Sequence, residues 1–284
     1  MRSEQEMMNL LIGFAEQDDR IRLVTLEGSR TNPNIPADRF QDYDISYFVT
    51  DLDSFKENDQ WLERFGKRLM MQKPEDMELF PPTLGNWFSY LMLFEDGNKV
   101  DLTLIPINEA DDYFANHDGL VKVLLDKDRL IQHEVIASDR RYWIQKPTAR
   151  QFDDCCNEFW MVSTYVVKGL ARKEILFAID HFHEIARPNL LRMMAWKIGS
   201  EQGYSFSLGK NDKFIDRYLP KEDWEKLLST YAQNGYQEMR QSLFASYELF
   251  RKYSKAVSEN LGYPYPDYDE AITKYTNEIF NSLT

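Results

Sequence analysis

The amino-acid sequence predicts an α/β (α+β) protein, with a mixed-sheet domain over residues 1–136 and an α-helical bundle domain over residues 150–284, joined by a linker at about 137–149. Three observations carry that expectation. In the first half, short β-rich runs alternate with helical stripes, the pattern of strands and helices layered on one sheet. Glu95-Asp96-Gly97-Asn98 separates two of the β-rich runs, and Asp-Gly is a strong hairpin signal. Beyond Lys146-Pro147, apolar residues recur at helical spacing through residues 152–261, with Gly and Pro mainly as punctuation.

Taken in order, residues 4–16 place Met7, Met8, Leu10, Leu11 and Phe14 on a helical stripe behind Ser3, a cap signal. Residues 21–26 read as a short strand ending at Gly28. Residues 31–38 hold Pro33, Pro36 and two Asn, so they form a loop. Residues 43–50 read as a second strand and residues 55–69 as a helix, and residues 88–94 and 99–105 are the arms of the hairpin. A chain of 284 residues with 43% hydrophobic content can bury two separate cores.

Composition excludes several function classes. The formal charge of -13 repels phosphate backbones, so no nucleic-acid partner is expected; it suits a cationic one. The two cysteines, Cys155 and Cys156, are adjacent and have no second pair, which rules out a disulfide framework or a thiolate zinc site. The first eight residues carry no apolar signal core, and no run of about 18 apolar residues occurs. A cytoplasmic protein without a membrane partner is expected, as a monomer or weak oligomer.

The chemistry concentrates in three features: Gly28-Ser29-Arg30 after the first strand, Asp42-Tyr43-Asp44 opening the next, and Asp101 in the second hairpin arm. Residues i and i+2 of a strand share a face, so Asp42 and Asp44 project together while Tyr43 and Ile45 face the other way. Neighbouring carboxylates repel unless cations sit between them. Mg²⁺ is the natural cation, because it takes hard oxygen ligands and leaves positions open for substrate phosphates. If the Asp101 strand neighbours the Asp42 strand, three carboxylates can hold two Mg²⁺ ions. One would activate an attacking hydroxyl and the other would bind a triphosphate and its departing pyrophosphate. Gly28 lets a phosphate approach the backbone, Ser29 can cap a helix and bond that phosphate, and Arg30 offers a matching fork. Each feature alone is common in proteins without such a site; the combination carries the inference.

These residues resemble the polymerase-β-like nucleotidyltransferase superfamily. More closely, Thr25-Leu26-Glu27-Gly28-Ser29-Arg30-Thr31-Asn32, Phe40-Gln41-Asp42-Tyr43-Asp44-Ile45 and Lys99-Val100-Asp101-Leu102-Thr103-Leu104 are similar to the aminoglycoside 6-adenylyltransferases. The string Met71-Gln72-Lys73-Pro74-Glu75-Asp76-Met77-Glu78-Leu79-Phe80 belongs to the same resemblance, which continues into the second half through Asp154-Cys155-Cys156-Asn157-Glu158-Phe159-Trp160 and the stretch 172–181. The resemblance implies ATP- and Mg²⁺-dependent adenylylation of streptomycin, antibiotic resistance, and a catalytic domain followed by a helical one. A charge of -13 fits streptomycin, which carries two guanidinium groups and an amine.

The acceptor hydroxyl must lose a proton, and a carboxylate of the helical domain could take it. Asp180, interrupting the apolar run Ile175-Leu176-Phe177-Ala178-Ile179, is the candidate base, although a surface carboxylate paired with Lys173 or His183 is the ordinary alternative. Lys173, seven residues earlier on the same expected helix face, could reach triphosphate oxygens. Glu78, Glu95, Asp153, Asp154 and Glu158 could hold guanidinium groups, and Tyr43, Trp87, Tyr90 and Trp160 could stack a ring, though such residues are usually surface and core respectively. His181 and His183 at i, i+2 point apart on a helix and make no metal pair. Other readings are a transferase for a lincosamide-like acceptor, a non-catalytic ATP- or antibiotic-binding module, and an RNA- or protein-directed nucleotidyltransferase. The scattered Lys and Arg disfavour RNA.

Overall fold

The computed structural model describes residues 1–282, and the chain divides into two compact units, one Met1–Arg141 and the other from Tyr142 onward. The segment around that division holds a 3-10 turn, Arg140–Tyr142, and then Thr148, which caps the first long helix of the second unit.

The first unit opens with α1 (Glu4–Gln17), whose capping box joins Ser3 and Glu6: the Glu6 N–H donates to Ser3 Oγ and the Ser3 N–H to the Glu6 carboxylate. Then follow β1 (Ile21–Glu27), a 3-10 turn at Gly28–Thr31, β2 (Tyr43–Val49), α2 (Leu52–Lys56), β3 (Arg68–Gln72), β4 (Phe88–Phe94), β5 (Lys99–Pro106), α3 (Ala110–Asn116) and β6 (Val121–Asp126). The sheet order is β3-β4-β5-β2-β1-β6. Among the described residues only the β2–β5 pairing is parallel, so the sheet is mixed and the unit is α+β.

The helix expected over residues 55–69 is not formed. Phe55, Leu62 and Phe65 do go inside, which produced the helical spacing. They do so from α2, a 3-10 turn at Gln60–Phe65 and the lead-in to β3. Gly66, at φ +110°, ends the turn in a conformation no continuing helix can hold.

The two sheet faces differ in chemistry. On one, Val24, Leu26, Tyr43, Ile45, Tyr47, Leu102 and Tyr90 are buried together with Met7, Leu11 and Phe14 of α1. Each fully buried large apolar side chain here contributes roughly 1.5–3 kcal/mol. The other face changes along its strands. Leu23, Phe48 and Ile105 at one end are covered by Tyr113 of α3. Next comes a row of hydroxyls, Thr25, Ser46, Thr103 and Ser89, in cross-strand register. The last row is Glu27, Asp44 and Asp101. A face that begins as core thus ends as a row of carboxylates.

The second unit is helical: α4 (Ala149–Ala171), α5 (Ile175–His181), α6 (Arg187–Gln202), α7 (Lys221–Ser229), α8 (Tyr236–Leu261) and α9 (Asp269–Asn281). A π-turn, Phe182–Ala186, joins α5 to α6 without a break. Its core is aromatic, with Phe159 of α4 stacked on Phe250 of α8 at 3.8 Å between ring centres. Residues 203–220 depart from the helical expectation, because Gly203 and Gly209 adopt φ of +84° and +78° and only short 3-10 turns form there. Cys155 and Cys156 are free, buried thiols; burial pushes Cys155 up to about 12, which keeps it unreactive. Among the described residues, no helix is long and apolar enough to cross a membrane.

Candidate active site

The first unit brings six of the expected residues together. Asp44 of β2 is the register partner of Asp101 on β5 and of Glu27 on β1, so the three carboxylates stand side by side, about one strand spacing apart. Asp42 is the residue before β2, and Tyr43 beside it turns into the core at 2% exposure. Alternation across the sheet sends Tyr43 and Ile45 one way and Asp44 the other.

Lys99 sits among these acids. Its Nζ donates to Asp42 Oδ2 at 2.9 Å and to both Asp101 oxygens at 2.6 Å. Partial burial works against the charge, but the hydrogen bonds to Asp101 and Asp42 outweigh it and raise the Lys99 pKa. At the other end of the row, burial pushes the Glu27 carboxyl up to about 7, with Asp44's charge adding to it. Hydrogen bonds donated to Glu27 Oε1 by Thr25 Oγ1 (2.5 Å) and Tyr113 OH (2.6 Å) pull the other way.

Gly28 closes the site from the β1 end. It adopts φ +67°, and a Cβ built on it would lie 2.5 Å from Asp44 Oδ2. No side chain fits there without moving the carboxylate. Ser29 follows in the 3-10 turn, where its carbonyl accepts from Gln41 Nε2. Arg30 lies elsewhere than its expected phosphate role requires. Its Nε donates to Asp42 O at 2.9 Å, Nη2 to Gln41 O at 2.8 Å and Nη1 to Glu4 Oε2 at 2.9 Å. The guanidinium also lies 3.7 Å from the Tyr43 ring centre, and the side chain is 7% exposed. Arg30 is therefore taken up in holding the Asp42 loop.

The donors suit a hard divalent cation: carboxylate oxygens only, with an ammonium ion already resting on Asp42 and Asp101. Among the described residues, no three acidic or His/Cys side chains are already closed to metal-ligand spacing. A metal at Asp42, Asp44 and Asp101 would thus need Lys99 to give way.

Asp180 and Lys173 belong to the second unit, and two expectations about them are corrected. They do not share a helix: α4 ends at Ala171, Lys173 takes φ +61° in the turn, and α5 starts at Ile175. The apolar run does not shield Asp180, which is exposed, as are Leu176 (72%) and Phe177 (41%). His181 and His183 engage Phe177 O and Arg187 respectively. The same unit carries a groove of ≈ 770 Å³ lined by Asp154, Glu158, Glu184, Arg192 and Trp196 among others. Two of these acids were named from the sequence as guanidinium holders. Tyr43, Tyr90 and Trp160 are core residues and not open to stacking.

Sequence reasoning missed Glu27 and Lys99. Lys99 lies two residues before Asp101, so strand alternation alone could have placed it on the same face. Glu27 needed the strand order, because only the β1–β2 register sets it beside Asp44.

A family model described as streptomycin adenylyltransferase matches residues 1–279. An aminoglycoside 6-adenylyltransferase of Bacillus subtilis (strain 168) is 76% identical over 283 residues, 100% of each chain. One of Campylobacter jejuni is 58% identical over 275 residues, 97% of this chain and 95% of that one. One of Staphylococcus aureus is 52% identical over 282 residues, 99% of this chain and 100% of the other. The chain belongs to the streptomycin adenylyltransferase family and is a nucleotidyltransferase.

Proposed function

We propose that the enzyme transfers AMP from ATP to a hydroxyl of streptomycin, releasing pyrophosphate and conferring aminoglycoside resistance. The observation that carries this reading is Asp44 and Asp101 in cross-strand register, with Lys99 bridging Asp101 to Asp42 and the Gly28 backbone against Asp44. Two Mg²⁺ ions held by Asp42, Asp44 and Asp101 would acidify the acceptor hydroxyl and neutralise triphosphate charge.

The chain's own residues supply the rest. Ser29 presents its hydroxyl to the triphosphate, beside Gly28, whose own N–H is bonded to Leu120 O and whose missing Cβ leaves room for the Asp44 carboxylate. Arg30 fixes the loop that carries Asp42. Asp180 takes the acceptor proton as the hydroxyl oxygen bonds to the α-phosphorus and the α–β bridging bond breaks, and Lys173 pairs with triphosphate oxygens. A net charge of -13 and the groove bearing Asp154, Glu158 and Glu184 suit a polycationic acceptor. Use of ATP is consistent with action in the cytoplasm.

The test is incubation with ATP, Mg²⁺ and streptomycin, followed by pyrophosphate assay and mass spectrometry of the drug. Adenylylated streptomycin is expected. Turnover of a lincosamide with streptomycin untouched would overturn the acceptor assignment.

A further inference from the structure

We infer that Lys99 is a built-in stand-in cation, which holds Asp42 and Asp101 in the metal-free enzyme, leaves them when Mg²⁺ binds and is then free to meet the triphosphate. This rests on the AMP-transfer reading of the same site.

Three features of the chain lead there. First, Lys99 opens β5 two residues before Asp101, so both side chains stand on the carboxylate face. Second, an ammonium group has three N–H donors, and Lys99 Nζ contacts three carboxylate oxygens, one of Asp42 and two of Asp101. Its hydrogen-bonding capacity is spent on the atoms a metal would need. Lys99 Nζ lies 2.6 Å from both Asp101 oxygens, the position a metal held by that carboxylate would take, and two cations at one place repel. Third, the side chain has a way out. Lys99 is 36% exposed on a flexible four-carbon stem, and its β4 register partner, Leu93, carries no charge to trap it. Without a resident cation, the acids would repel one another and spread. Lys99 holds Asp42 and Asp101 together and supplies a positive charge where a triphosphate arrives.

Two measurements on the full chain, made without drug and without turnover, decide the matter. The first follows acylation of the Lys99 amine by mass spectrometry on wild-type protein. The rate should rise several-fold from chelator to saturating Mg²⁺, then fall again when a non-hydrolysable ATP analogue is added. The second titrates Mn²⁺ by electron paramagnetic resonance into wild type and Lys99→Met. The variant should bind Mn²⁺ roughly tenfold more tightly without nucleotide, and the ATP analogue more weakly in Mg²⁺. An acylation rate indifferent to Mg²⁺, or Mn²⁺ binding to Lys99→Met that is no tighter, would overturn the inference. An acylation rate that stays high with the analogue would overturn the phosphate part. The wild-type labelling stands even if Lys99→Met fails to fold. Failure of either leaves streptomycin turnover as a separate result, so the two readings fall independently.

Discussion

Replacing Gly28 with alanine tests whether the glycine keeps Asp44 in place. The new Cβ would sit 2.5 Å from Asp44 Oδ2, whereas ordinary contact begins at 3.4 Å, so the carboxylate or the turn must yield. An L-residue at φ +67° adds strain of roughly 1–2 kcal/mol. That strain should lower the Tm by roughly 3–8 °C. Misplacing a reacting group by about 1 Å costs on the order of 100-fold, so kcat/KM for AMP transfer should fall by about that factor. The assay is pyrophosphate release from ATP with streptomycin, beside thermal unfolding. Gly13→Ala is the control: Gly13 lies inside α1, and a methyl group added there meets nothing within 4 Å, so the change should add roughly 0.5–1 kcal/mol of stability and spare activity. Gly28→Ala with wild-type kcat/KM would refute the close-approach argument.

Three further outcomes follow from the same geometry. Glu27 titrates near 7 when folded, above its ordinary 4.5, so its contribution to stability is complete below pH 4.5 and lost as pH rises through about 7. Glu27→Gln should therefore flatten metal-free stability over that window and raise Tm at pH 8, read by thermal melts across pH. Arg30→Lys loses the fork on Asp42 O and Gln41 O and most of the contact with the Tyr43 ring, and should destabilise by about 2 kcal/mol in denaturant unfolding. Asp180→Asn should cut kcat by roughly 10²–10⁴ with the KM for ATP unchanged. Because Asp180 is exposed, its unfolding midpoint should not move.

Local signals were legible wherever one segment settles its own shape. Asp96-Gly97 does make the hairpin turn, with Gly97 at φ +83° and its N–H donating to Phe94 O. Ser3 does cap α1. Asp42, Asp44 and Asp101 could be grouped from alternation plus one assumption, that β2 and β5 are neighbours, and they pair in parallel. The residues that escaped depend on more distant chain. Edge strand β3 exposes Leu69 at 63% and Met70 at 65%, so no alternating pattern marks it, and only pairing with β4 makes it a strand. Arg30 read as a phosphate ligand because its partners, the Asp42 and Gln41 carbonyls, carry no sequence signal. Asp180 read as shielded because apolar neighbours in sequence were taken for apolar neighbours in space; Leu176 and Phe177 are exposed.

The central claim, that Asp42, Asp44 and Asp101 carry AMP transfer, is tested most directly by Asp101→Asn. Asp101 is the register partner of Asp44 and accepts twice from Lys99, and asparagine keeps its shape while removing the charge. With ATP, Mg²⁺ and streptomycin, wild type should give the adenylylated drug and one pyrophosphate per drug, while the folded variant loses at least about 10³-fold in kcat/KM. Wild-type turnover by Asp101→Asn would contradict the account.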